Sequence, residues 1–129
     1  MVVAKSATGT PASEMGLAPV VAFTGKGGGA LGGFTTGCGC VAPALSQQML
    51  SLARAGDWAT AEALRQQFEP LENLRNAIHP VRVLHEAVTL SGVADTGEIL
   101  PLLSGLHPGE RTRVQEAAAA LLARNAGAV

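Results

Sequence analysis

Three groups of residues in this sequence have side chains or spacings that could do chemistry: a glycine-rich stretch headed by a lysine, two cysteines, and three histidines. Gly27-Gly28-Gly29-Ala30-Leu31-Gly32 satisfies G-x-G-x-x-G directly after the apolar run Val20–Thr24. That pattern cradles a pyrophosphate when a helix starts at its end and points its N–H groups at the ligand. No helix-forming run starts at Gly32, and the acidic residue expected about 20 positions on is missing, the first being Asp57. The P-loop pattern fails as well, because Lys26 precedes the glycines instead of ending them. The stretch therefore reads as a connection rather than a nucleotide site. Lys26 could form a Schiff base only if burial lowered its pKa. Among glycines it reads as an ordinary protonated surface lysine.

Cys38 and Cys40 are the only cysteines, and no His, Asp or Glu lies near them. A zinc site takes about four ligands, and the nearest histidine is His79. The reading here is of two reduced thiols in a core rather than a disulfide. His79 and His107 each precede proline, where a helix-boundary role is sufficient. His85-Glu86 lacks the second histidine of H-E-x-x-H, since Thr89 occupies that position. No nucleophile, base and orienting acid stand at triad spacing. The sequence thus offers no catalytic set, no metal shell and no cofactor motif.

The elements that would position these groups follow from composition and period. Residues 1–16 carry Ser, Thr, Gly and Pro without an apolar period and read as a disordered leader. Residues 17–43 hold two strand candidates, 20–24 and 34–38, on either side of the glycines. Residues 44–129 read as a helical region. Pro43 opens a first helix, with Leu45, Met49 and Leu52 on one face and Gly56 as its stop. Asp57 caps the next, whose stripe runs Trp58, Ala61, Leu64, Phe68, Leu71, Leu74 and Ile78, with Pro70 expected to kink it. His79-Pro80 breaks the chain before a third helix carrying Val81, Leu84 and Val88 to Gly92. A loop over 93–108 precedes a last helix with Val114, Ala118, Leu121 and Leu122. The long stripe is expected to pack on Val81, Leu84, Val88, Val114 and Leu121.

Charge separates the same regions. Residues 1–53 hold only Lys5, Glu14 and Lys26, and the other sixteen charged side chains lie beyond. The total is −1, from nine Lys and Arg against ten Asp and Glu, so nothing favours nucleic acid or an anionic membrane as partner. The uncharged run 27–53 contains Gly, Ser, Thr and Gln and is broken by Pro43, which argues against a membrane span. With no secretory pattern at the start, a cytoplasmic location is the expectation.

From Val20 to about Ala123 the chain resembles the C-terminal part of the dihydrodipicolinate synthase / N-acetylneuraminate lyase family, class I aldolases on an eight-stranded barrel. Val20-Val21-Ala22-Phe23-Thr24-Gly25 looks like the seventh barrel strand. Gly33-Phe34-Thr35-Thr36-Gly37-Cys38-Gly39-Cys40-Val41-Ala42-Pro43 looks like the eighth, which usually ends Asn-Val-Ala-Pro. Ala55-Gly56-Asp57-Trp58, Pro70-Leu71, His79-Pro80-Val81, Leu90-Ser91-Gly92 and Leu100-Pro101-Leu102 follow the order of the family's three-helix extension.

The resemblance implies a mainly α chain with two short parallel strands, a C-terminal fragment of a (β/α)8 TIM barrel plus its helical extension. It implies a parent activity of Schiff-base lyase or synthase on pyruvate-type 2-oxo acids. The strands that carry the family's Schiff-base Lys, relay Tyr and Thr pair have no counterpart here. Cys40 stands where Asn is usual, Ile99 where an Arg often precedes Leu-Pro, and the interval between the two strands is shorter than in the family. What carries over is pocket wall, Thr24 and Gly25 from one strand and Thr35 and Thr36 from the other, since barrel sites lie at the C-terminal ends of strands. The expected partners are the missing barrel portion or a second copy, with a 2-oxo acid bound only if the barrel is completed. The opposing reading is a helical interaction module, or a subunit of a split enzyme.

Overall fold

The computed structural model describes residues 21–24 and 31–128, in the order of two strands, a 3-10 turn and four helices. The leader 1–16, Gly25, Lys26 and most of the glycine-rich connection lie outside the described residues.

The helix ends fall where local chemistry sets them. Helix α1, Pro43–Ala55, has proline in its first turn and stops at Gly56, whose φ of 80° is left-handed. The Asp57 carboxylate accepts the Thr60 N–H at 3.1 Å and starts α2, Trp58–Ala77. Pro70 lies within α2 on its exposed side, so the Gln66 carbonyl that loses its helical donor faces water, and the helix runs on through it. Helix α3, Pro80–Leu90, begins with His79 Nδ1 accepting the Arg82 N–H at 3.4 Å. Helix α4, Pro108–Ala126, begins with the Glu110 carboxylate accepting the His107 N–H at 2.9 Å. The boundary roles expected of His79 and His107 are the ones they take.

The strands differ from expectation. β1 is Val21–Thr24 and β2 is Leu31–Thr35, and they pair antiparallel with Val21 opposite Thr35 and Thr24 opposite Leu31. The expected parallel arrangement is corrected by chain length. Residues 25–30 connect the strands, whereas a parallel crossover takes a dozen residues or more. β2 also ends before Cys38. Gly37–Cys40 turn into a 3-10 coil, with Cys40 N–H donating to Gly37 C=O at 3.3 Å and Val41 N–H to Cys38 C=O at 3.1 Å. The two cysteines therefore sit on a turn, not a strand, one buried and one exposed, and both are free thiols.

One core joins the four helices to that turn. Cys38, Val41, Ala42, Leu45, Phe68, Leu71, Leu74, Val83, Ala87, Val114, Ala118 and Leu121 pack together. Trp58 belongs instead to a smaller cluster with Met49, Ala53 and Ala61. On α3 the inward face is offset from the expected stripe. Val83 and Ala87 are buried, while Val81 is 53% exposed.

Candidate functional site

Two places collect polar side chains. The first is the junction between β2 and α1. Glu72 on α2, its side chain only 4% exposed, turns its carboxylate to this junction. Oε1 accepts the Cys38 N–H at 3.3 Å and the Thr36 hydroxyl at 3.5 Å, and Oε2 takes Arg75 Nη1 at 2.8 Å. The buried carboxylate is thus both paired and hydrogen-bonded, which an interior charge needs. Asn125 on α4 grips the next stretch of chain, its Oδ1 accepting from Ala44 N–H at 2.8 Å and Leu45 N–H at 3.1 Å. The first turn of α1 leaves N–H groups without helical partners. Where a barrel would offer such a terminus to an anion, a side chain of this same chain fills it.

Burial pushes the Cys38 thiol far up from its usual range, with the Glu72 charge beside it adding to the effect. Burial also raises Cys40. A thiolate is the reactive form of cysteine, so neither thiol is set up as a nucleophile. Among the described residues no group of three His, Cys, Asp or Glu is placed to hold a metal ion.

Two of the residues expected to wall a pocket, Thr24 and Thr35, sit at opposite ends of the ladder. The antiparallel ladder sets Thr24 opposite Leu31 at one end and Thr35 opposite Val21 at the other. In a parallel pair the two C-terminal ends would share a rim; here they point away from each other. Thr36, beyond the ladder, faces Glu72 and also borders a groove of about 350 Å³ with Phe34, Gly39, Pro43, Ser46, Gln47 and Leu50. Gly39 is required there, because a Cβ would stand 2.7 Å from the Thr36 methyl. Gly25 lies outside the described residues.

The second place is a cleft of about 600 Å³ between α3 and the 91–107 connection, bordered by His85, Glu86, Thr89, Asp95, Glu98 and Arg111 among others. Its polar groups are largely committed to holding that connection. Glu86 Oε1 accepts the Leu106 N–H at 2.7 Å, and Oε2 meets Arg111 Nε at 3.1 Å. Arg82 Nε donates to the Ser104 carbonyl at 2.6 Å and its Nη2 to that of Gly105. The Thr89 and Thr96 hydroxyls bond each other at 2.7 Å, and Asp95 accepts the Gly97 N–H at 2.9 Å. His85 Nδ1 is buried with no partner among the described residues.

Sequence reasoning missed Glu72, Arg75 and Asn125, and met Glu86 only in the incomplete H-E-x-x-H. The i, i+3 spacing of Glu72 and Arg75 marks an ion pair on a helix but does not say that it is buried, and the partners of Glu86 and Asn125 lie 20 or more residues away. No family model, curated protein or solved structure matches the chain. Within the described residues, no helix is long and apolar enough to cross a membrane.

Proposed function

We propose that the chain is a truncated, non-catalytic C-terminal segment of the dihydrodipicolinate synthase / N-acetylneuraminate lyase type, whose helices hold the end of a strand that another polypeptide segment completes into a barrel. The observation that supports it is the double grip on residues 36–45. Glu72 on α2 and Asn125 on α4 bind backbone N–H groups of the turn and of the first turn of α1. Helices that follow a strand–turn–helix unit and fold back to fasten its backbone are suited to fixing that strand end against a larger body. The chemistry, in this reading, belongs to a lysine on the absent strands and to a pyruvate-type 2-oxo acid. Thr36, which borders the groove beside Phe34 and Ser46, is the residue of this chain placed to contribute to a pocket wall.

The antiparallel pairing of β1 and β2 favours a second reading, a helical interaction module, because a barrel would need these strands parallel. Pyruvate with borohydride, followed by intact mass, tests the first reading. The isolated chain is expected to keep its mass, since Lys5 and Lys26 are its only lysines; stoichiometric trapping on either overturns the proposal. Co-expression with the product of a neighbouring reading frame encoding six strand–helix units should yield a complex that traps pyruvate on the added polypeptide. Failure to form that complex, or a complex that does not trap pyruvate, would overturn the first reading in favour of the interaction module.

A further inference from the structure

We draw no further inference here: the strongest candidate, the exposed apolar turn Leu100–Leu103 beside the α3–α4 cleft, with Leu102 fully exposed at a φ of 89°, carries nothing because nothing in the structure shows what covers it.

Discussion

Replacing Glu72 by Ala removes a side chain that hydrogen-bonds α2 to the turn after β2. Three partners are released, and they do not count equally. The Cys38 N–H, bonded at 3.3 Å in a buried site, is left without an acceptor, a loss of about 1–3 kcal/mol. The Thr36 hydroxyl at 3.5 Å is at the limit of a hydrogen bond and contributes little. Arg75, 25% exposed, can turn to water, so its loss falls well short of the roughly 3–5 kcal/mol seen when a fully buried pair is broken. The sum is about 2–3 kcal/mol, or a fall in Tm of roughly 6–15 °C for a domain of this size.

Glu72→Gln keeps an acceptor for Cys38 and should lose only about 1 kcal/mol. Thermal and urea unfolding measure both variants. In a Cys40→Ser background, Cys38 labelling by a thiol reagent reads the turn, and it should accelerate more in Glu72→Ala, where the turn loosens, than in Glu72→Gln, where only the loss of the Glu72 charge eases thiolate formation. A Glu72→Ala protein as stable as the parent, with Cys38 still protected, would refute the reasoning that this carboxylate holds the turn.

Asn125→Ala should cost about 1–2 kcal/mol in urea unfolding, because the two N–H groups at the start of α1 lose their common acceptor. Leu102→Gly should raise Tm slightly, the relief of about 1–2 kcal/mol of left-handed strain outweighing the entropy of a freer chain; an unchanged or lower Tm would show that Leu102 is not strained. As pH falls below 4.5, stability should fall as Glu62 is protonated. The hydrogen bond from Arg65 holds its carboxyl below the ordinary 4.5, so its contribution is complete above that unfolded value and disappears as pH drops through the lower folded one. Glu62→Gln should flatten the acid limb of a stability-against-pH curve, and an identical limb in the variant would remove Arg65–Glu62 from the account.

Helix existence and boundaries were legible because each depends on residues next to each other in the chain. Pro43, Gly56, Asp57 and the His79-Pro80 pair act through fixed φ, a tolerated left-handed turn or a reachable N–H, and all four mark the ends found. The apolar period of α2 likewise placed Phe68, Leu71 and Leu74 in the core. The strand direction was also written in the sequence, as the short 25–30 connection, but the family resemblance pointed the other way.

Other features were settled only by the packed chain. Val81 and Val83 are equally apolar, and which of them turns inward is decided by how α3 packs against α2 and α4. The Cys38 N–H is taken by a carboxylate 34 residues away, and α1 starts on an amide 80 residues further along. Local propensities reach about one helical turn. Hydrogen bonds between elements distant in sequence exist only once the core has brought the helices together, so the side chains that build this junction carried no mark by which the sequence alone distinguishes them.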